Sequence, residues 1–218
     1  MKILVTGGDG GLGSWIAHEL VNKYNHKVRT LGRSRCHIKA DLSHYPVTWL
    51  SEIEGNFDAV VHCAGAHHLS TINELDYYKI EELIRVNALS NLAINKLLIE
   101  RGLKVSCHVI GEVKPSKFGL AYDISKSAQL MVMQSLALEY DIITFGVSPG
   151  KFAGSRMSDY IDNTLPELHE TTFEQTREYE LATLRTGEMD VPTVAEFICT
   201  MINQATPYMN GHNYSIGG

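Results

Sequence analysis

Near its start the chain reads Lys2-Ile3-Leu4-Val5-Thr6 and then Gly7-Gly8-Asp9-Gly10-Gly11-Leu12-Gly13. The first run is short and apolar, and an amphipathic stretch from Ser14 to Lys23 follows the glycines. This order of strand, glycine turn and helix is the one that a dinucleotide site requires. Gly7 would allow the tight turn, Gly10 or Gly11 would let backbone N–H groups approach a diphosphate, and Gly13 would let the helix pack on the strand.

Further apolar runs alternate with helical patterns along the rest of the sequence. Runs at 3–5, 28–31, 59–63, 105–110, 142–147 and 213–216 predict buried strands, and His37 to Asp41 predict another short one. Helical patterns cover 14–23, 45–53, 76–101, 120–140 and 193–204. This alternation predicts an α/β fold, a single-domain doubly wound parallel sheet over residues 1–218. Between Gly32 and Asp41 the chain is too short for a packed crossover helix.

Tyr122 and Lys126 lie four residues apart in the pattern that predicts the 120–140 helix. Side chains at this spacing share one helix face, so an ammonium can sit beside a phenol and favour its ionised form. A general acid works best when its pKa is drawn towards the working pH. Together with the glycine turn, the pair indicates a site for proton transfer beside a dinucleotide.

The chain resembles the short-chain dehydrogenase/reductase family over nearly its whole length. Thr6-Gly7-x-x-x-Gly11-x-Gly13 matches the cofactor turn of that family, and Tyr122-x-x-x-Lys126 matches its active-site pair. The other matches, in chain order, are Cys63-Ala64-Gly65, the helix asparagine Asn87, Pro149-Gly150 and Gly217-Gly218. The turn also fits Gly7-x-x-Gly10-x-x-Gly13, the spacing of the extended branch, whose members act on nucleotide-linked sugars.

The resemblance implies a Rossmann fold that transfers a hydride between a nicotinamide cofactor and a small carbonyl or alcohol substrate. Tyr122 would exchange the proton on the substrate oxygen, and Lys126 would lower the pKa of Tyr122 and bind the nicotinamide ribose. Asn87 would position a water that relays protons to Lys126. The family also implies a homodimer or homotetramer.

Cofactor choice depends on the residues after the second strand. That strand runs into Gly32-Arg33-Ser34-Arg35, with no carboxylate until Asp41. Arginine can pair with the extra phosphate of NADP, so we predict NADP, with NAD as the second choice. The predicted cofactor contacts are Gly7, Gly10, Gly11, Leu12, Gly13, Arg33, Ser34, Asp41, Leu42, Ala64, Gly65, Asn87, Tyr122, Lys126, Pro149, Gly150 and Phe152.

One position departs from the family. A serine normally ends the fifth strand and hydrogen-bonds the substrate carbonyl, but this chain has Val109-Ile110-Gly111-Glu112 there. Ser106 falls too early in the strand to occupy this position. Ser116 falls too close to Tyr122 in the sequence, unless a short loop swings it inward. A backbone N–H near Gly111 is the other candidate donor. Loss of one such donor commonly costs about 3 kcal/mol of transition-state stabilisation.

Residues 151–190 mix apolar and charged side chains, and the family places its substrate cover there. Its length predicts a helical lid rather than a separate domain. Ser155 lies one residue later than the hydroxyl that relatives place on the nicotinamide amide.

Composition narrows the function further. A net charge of −6 argues against a nucleic-acid or anionic membrane surface, and no apolar run approaches a membrane span. We expect a cytoplasmic protein with reduced cysteines and no metal site, and we expect His67 and His68 on the rim of a loop. Two alternatives to the NADP-dependent reductase remain: an extended-branch enzyme for nucleotide sugars, and a catalytically weak NADP sensor or scaffold.

Overall fold

A computed structural model describes residues 1–182, 184 and 187–217. Nine strands and seven α-helices are assigned in these residues. The strands are β1 (Lys2–Thr6), β2 (Lys27–Gly32), β3 (Ile38–Lys39), β4 (Ala59–His62), β5 (Val105–Val109), β6 (Ile143–Pro149), β7 (Phe152–Ala153), β8 (Met189–Asp190) and β9 (Asn213–Ile216). The helices are α1 (Gly11–Asn22), α2 (Tyr77–Ile84), α3 (Ser90–Ile99), α4 (Leu120–Glu139), α5 (Arg156–His169), α6 (Phe173–Ala182) and α7 (Val191–Asn203).

Seven strands form one parallel sheet in the order β3-β2-β1-β4-β5-β6-β9. The chain adds β2 and β3 on one side of β1 and then adds β4, β5, β6 and β9 on the other side. The point between β1 and β4 is therefore the switch point, where open α/β sheets bind ligands. The prediction of a single-domain doubly wound parallel sheet is therefore confirmed.

Successive side chains of a strand point to opposite faces of the sheet, and apolar side chains form a core on each face. Ile3 and Val5 of β1 pack with Ile16, Leu20 and Val194 of helices α1 and α7. Leu4, between them, belongs to the opposite core, which the 48–52 turn and α3 cover; its members include Leu31, Trp49, Phe57, Ile94 and Leu98. Both faces of a parallel sheet must be covered in this way, which explains why its strands are nearly all apolar.

Two of the predicted helices are wrong in detail. The 45–53 pattern forms only a short 3₁₀ helix, Thr48–Glu52, because Pro46 has no N–H and disfavours helical backbone at Tyr45. The 76–101 pattern is divided: α2 ends at Ile84, a π-helical turn occupies Arg85–Leu89, and α3 follows. Asn87 lies in the middle of that turn, and such turns frequently mark functional sites.

The 151–190 segment consists of α5 and α6 and of a two-stranded parallel pair, β7 with β8. Lys151 connects its parts, since its ammonium lies 2.6 Å from Asp162 and 2.5 Å from Glu180. Although burial opposes it, hydrogen bonds to these carboxylates raise the pKa of Lys151. Arg177 joins the same network through Asp162 and Glu188.

Candidate active site

The glycine turn between β1 and α1 is packed too tightly for larger residues. A Cβ atom at Gly13 would lie 2.2 Å from the carbonyl oxygen of Gly7, so only glycine lets the helix approach the strand this closely. Gly10 caps α1 without any side-chain hydrogen bond. The first N–H groups of a helix have no partners within the helix. The N-terminus of α1 can therefore accept an anionic group such as a diphosphate.

Two adjoining cavities open at this turn. One, of about 440 Å³, extends towards Tyr122 and α5, and the other, of about 210 Å³, extends towards the end of β2. Of the predicted cofactor contacts, the larger cavity is lined by Gly7, Gly10, Gly11, Leu12, Gly13, Gly65, Tyr122, Lys126, Pro149, Gly150 and Phe152. The smaller is lined by Gly7, Gly10, Arg33, Asp41, Leu42, Ala64 and Gly65. Ser34, which is exposed, and Asn87, which is buried, line neither cavity, and Gly218 lies outside the described residues.

The β2 end of the smaller cavity holds a carboxylate that the sequence order did not reveal. Asp9, inside the glycine turn, accepts hydrogen bonds from the backbone N–H and the hydroxyl of Ser34, at 3.2 and 3.0 Å. No carboxylate stands between Gly32 and Asp41 in the sequence, but parallel pairing sets the β1 turn, and Asp9 with it, beside the end of β2. Arg33 and Arg156 line the same cavity.

Arg156, the first residue of α5, reaches back to the glycine turn and donates to the carbonyl oxygen of Asp9 at 3.1 Å. It lines both cavities, so it stands at their junction. Its neighbour Ser155 caps α5 through a reciprocal bond with Ser158. Arg156 was not among the predicted cofactor contacts, although its position directly after Ser155 could have indicated that it lies near the cofactor.

Thr6 holds the chain segment that follows β4. Its hydroxyl accepts hydrogen bonds from the backbone N–H groups of Cys63 and Ala64, both at 3.1 Å. The chain beyond β4 is thereby held against β1. Burial raises the pKa of the Cys63 thiol to about 12, so this side chain stays protonated.

Lys126 and Tyr122 both project from α4 into the larger cavity. The ammonium of Lys126 lies 5.6 Å from the centre of the Tyr122 ring and donates to the carbonyl oxygen of Val109 and to Gln129. Burial lowers the pKa of Lys126 to about 8 and raises that of Tyr122. The expected lowering of the Tyr122 pKa is therefore wrong, because burial dominates and Lys126 is directed to other acceptors.

Asn87 fastens the loop that follows Gly65. Its amide accepts the N–H of Ala66 at 2.8 Å and donates to the carbonyl oxygen of Ala66 and to Ser125. A Cβ atom at Gly65 would lie 3.6 Å from the Asn87 amide oxygen and 3.8 Å from the Lys126 ammonium. Asn87 and Lys126 thus flank one point of the cavity wall.

Gly111 stands directly opposite Tyr122. Its φ is +98°, and a Cβ atom there would lie 3.1 Å from the Tyr122 hydroxyl. Ser116 does not replace the missing serine in this state, because its hydroxyl and N–H both bind the Asp123 carboxylate. Ser106 is buried in the sheet and bonded to His108.

His67 lies deeper than the loop rim expected for it. Its ring lines the larger cavity, with its centre 4.1 Å from that of the Tyr122 ring and 6.0 Å from that of Tyr160. The Tyr160 hydroxyl accepts the N–H of Leu69 and holds the loop in place. Burial lowers the pKa of His67 to about 4, with Lys126 contributing in the same direction.

Two classes of site have no candidate in the described part of the chain. No group of three or more His, Cys, Asp or Glu side chains could hold a metal ion there. Nor does any described helix combine the length and the apolar character that crossing a bilayer requires.

One protein-family model and several solved structures match this chain. The model of the NAD dependent epimerase/dehydratase family matches residues 3–217. A short chain dehydrogenase family protein from Francisella tularensis subsp. tularensis SCHU S4 superposes with a TM-score of 0.87 at 22% identity, over 99% of this chain and 96% of that one. No curated protein matches the sequence.

Two named reductases share the fold. L-sorbose reductase from Gluconobacter frateurii, solved with NADPH and L-sorbose, has a TM-score of 0.82 at 16% identity, covering 100% of this chain and 95% of that one. Levodione reductase has a TM-score of 0.84 at 15% identity, covering 100% and 96%. The family match and the shared fold lead to one assignment: the chain belongs to the NAD dependent epimerase/dehydratase family, within the short-chain dehydrogenases/reductases.

Proposed function

We propose that this protein is an NADP-dependent reductase of a small carbonyl compound, with Tyr122 as the proton donor. The observation that carries the proposal is that Tyr122 and Lys126 share one cavity with the glycine turn. A proton donor and a dinucleotide site are thereby brought together. The test is NADPH oxidation by the purified protein against aldehydes, ketones and keto acids, with steady turnover expected for at least one class.

The residues present fit a nicotinamide dinucleotide. The uncapped N-terminus of α1 suits the diphosphate, and the two adjoining cavities suit the two halves of the molecule. Arg156 at their junction adds a positive charge beside the diphosphate position. When bound, the cofactor supplies the hydride; Lys126 would hold its nicotinamide-side ribose, and Asn87 would keep the wall formed by Ala66 in place.

The electrostatics favour proton donation. Because burial raises the pKa of Tyr122, its phenol is protonated at neutral pH and can give a proton to an oxygen that gains negative charge. The ammonium of Lys126 lies close enough to stabilise the phenolate that remains. A protonated phenol is the form that the reduction direction requires.

The substrate class follows from the space beside Tyr122. The cavity of about 440 Å³ must hold part of the cofactor as well, so the substrate is small. Met157 and Ile161 of α5 provide an apolar wall. We propose that the 151–190 segment is the substrate lid, with Asn87, Tyr122 and Lys126 as the catalytic set.

We expect the protein to bind NADPH at least about tenfold more tightly than NADH, a difference of about 1.4 kcal/mol. Arg33 and Arg156 can pair with the additional phosphate of NADP, whereas NAD offers them only a hydroxyl. Replacing Arg33 by alanine should remove most of the preference and leave NADH affinity unchanged. Fluorescence titration of the parent protein and the Arg33→Ala variant with each cofactor measures the two dissociation constants.

Asp9 supplies the matched control for this prediction, since it lines the same cavity with the opposite charge. Asp9→Asn should strengthen NADPH binding and have little effect on NADH. Equal affinities of the parent protein for the two cofactors would contradict the NADP proposal and indicate that Asp9 outweighs the arginines.

Two other functions are favoured by particular observations. The match to the epimerase/dehydratase model and the Gly7-x-x-Gly10-x-x-Gly13 spacing favour a nucleotide-sugar enzyme, but such relatives carry a larger substrate domain. The lack of a side chain at Gly111 favours a catalytically weak NADP sensor or scaffold. Epimerisation of a nucleotide sugar without net NADPH consumption would support the first, and tight NADPH binding without turnover would support the second.

Homo-oligomer formation is also part of the proposal. Four large apolar side chains on α4 are exposed, and their spacing sets them along one side of the helix: Leu120, Ile124, Met131 and Leu138. We expect light scattering to give the mass of a dimer or tetramer, and a monomer at micromolar concentration would contradict this. The free thiols Cys36, Cys63, Cys107 and Cys199 support a reducing, cytoplasmic location.

A further inference from the structure

Among the described residues, none that lines the larger cavity offers a free hydroxyl near Tyr122. Gly111 occupies the position opposite the phenol, and the lining serines already have partners in the chain. Ser116 binds Asp123, while Ser155 and Ser158 bind each other in the cap of α5. A substrate carbonyl held beside Tyr122 therefore needs a second donor from another kind of side chain.

The charged residues of this wall are occupied as well. Glu112 pairs with Lys114 at 2.8 Å, and Lys151 pairs with Asp162 and Glu180. The ammonium of Lys126 donates to the backbone of Val109 and to Gln129. Each of these charged groups therefore has a partner within the chain, and Lys126 is the one assigned above to the cofactor ribose and to the Tyr122 phenolate.

His67 differs from these groups in its bonding. Its Nδ1 atom is buried and has no hydrogen-bond partner among the described residues. Because Nδ1 is shut off from solvent, the ring can meet a ligand only along its Nε2 edge. A buried N–H without an acceptor is rarer than a buried acceptor without a donor, which places the proton on Nε2.

His67 is uncharged at neutral pH, since burial lowers its pKa to about 4. A neutral imidazole carries one N–H donor and one acceptor. The His67 ring packs against that of Tyr122, with ring centres 4.1 Å apart. A substrate oxygen that approaches the Tyr122 hydroxyl therefore also comes near the His67 ring.

We propose that His67 donates a hydrogen bond to the substrate carbonyl oxygen, in the place of the hydroxyl that Gly111 cannot supply. This inference rests on the proposed reductase function. Bound NADPH would supply the hydride: its nicotinamide C4–H bond would break as the substrate C–H bond forms, and the C=O π electrons would move to oxygen. The oxygen then takes the proton of the Tyr122 hydroxyl, and His67 keeps its own proton throughout.

The test compares His67→Phe with His67→Gln on a carbonyl compound that the wild-type protein reduces. Phenylalanine keeps a ring against Tyr122 but removes both nitrogens, so kcat should fall about 100-fold to 1000-fold, as for loss of one oxyanion donor. Glutamine offers an N–H₂ group near the Nε2 position and should recover most of that loss. The Kd for NADPH and the unfolding temperature should be unchanged in both variants.

His68→Phe and Ser116→Ala are the controls, and both should keep the wild-type kcat. An unchanged kcat in His67→Phe would overturn the inference, and so would an equal loss in His67→Phe and His67→Gln, which would indicate packing alone. If the wild-type protein reduces no compound, the proposed function fails first and this inference fails with it.

Discussion

Replacing Tyr122 by phenylalanine is expected to reduce carbonyl turnover by at least about a thousandfold, while the Kd for NADPH stays within about twofold. Phenylalanine keeps the ring that packs against His67 and deletes only the exchangeable proton. A positioned proton donor contributes about 10² to 10⁴ in rate. Steady-state rates and NADPH titrations of the same preparation give both numbers.

Tyr140→Phe is the matched control for this variant. It removes the hydroxyl of an exposed tyrosine at the C-terminal end of the same helix, and Tyr140 does not line the cavity. Its kcat should stay close to that of the wild type. Turnover that survives Tyr122→Phe would rule out Tyr122 as the proton donor.

Replacing Lys126 by methionine is expected to abolish turnover and to weaken NADPH binding at least tenfold. Lys126 would contact the cofactor ribose and also stabilise the phenolate of Tyr122, so both functions fail together. This distinguishes it from Tyr122→Phe, which should affect turnover alone. NADPH binding of wild-type strength in Lys126→Met would contradict the proposed ribose contact.

The same variant has a consequence for stability. Lys126 is 4% exposed, and burial lowers its pKa to about 8 from 10.5. Between these values the unfolded chain binds more protons than the folded one, so the free energy of unfolding of the wild type rises with pH in this window. Lys126→Met should therefore be more stable than the wild type near pH 7, and its advantage should shrink as the pH rises through about 8 towards 10.5.

Thermal unfolding of both proteins across this pH range measures the effect. Lys104→Met, at an exposed lysine, is the control and should show no such pH-dependent difference. A stability difference that does not depend on pH would assign the effect of Lys126→Met to packing.

Local sequence signals were sufficient for the sheet and for its cofactor turn. The central strands β1, β4, β5 and β6 each contain apolar residues that the sequence patterns identified, and the turn at Gly13 needs glycine because of contacts only six residues away. The 45–53 segment was misjudged because its apolar spacing suits a helix, while Pro46 permits only a 3₁₀ turn. The π-helical turn at Asn87 has no periodic signal of its own.

The site residues that were missed depend on contacts between distant parts of the chain. Asp9 meets Ser34 only because β1 and β2 are neighbours in the sheet. Arg156 reaches the glycine turn across more than a hundred residues of sequence. His67 differs from His68 only in the ring packing of the folded loop, which no spacing rule reveals.

The pKa of Tyr122 also depends on contacts that the sequence spacing does not reveal. Four-residue spacing correctly puts Lys126 on the same helix face, but it does not show which acceptors the ammonium chooses. Val109 and Gln129 take its hydrogen bonds in the folded protein. Burial then controls the phenol, and the direction of its pKa shift is reversed from the sequence expectation.

The most direct test of the reductase function is label transfer from NADPH deuterated at the nicotinamide C4, incubated with the protein and the carbonyl panel. We expect mass spectrometry to find deuterium on the carbinol carbon of at least one product. We expect Tyr122→Phe to reduce this signal to background. Tight NADPH binding by the wild-type protein without deuterium in any product would contradict the reductase function.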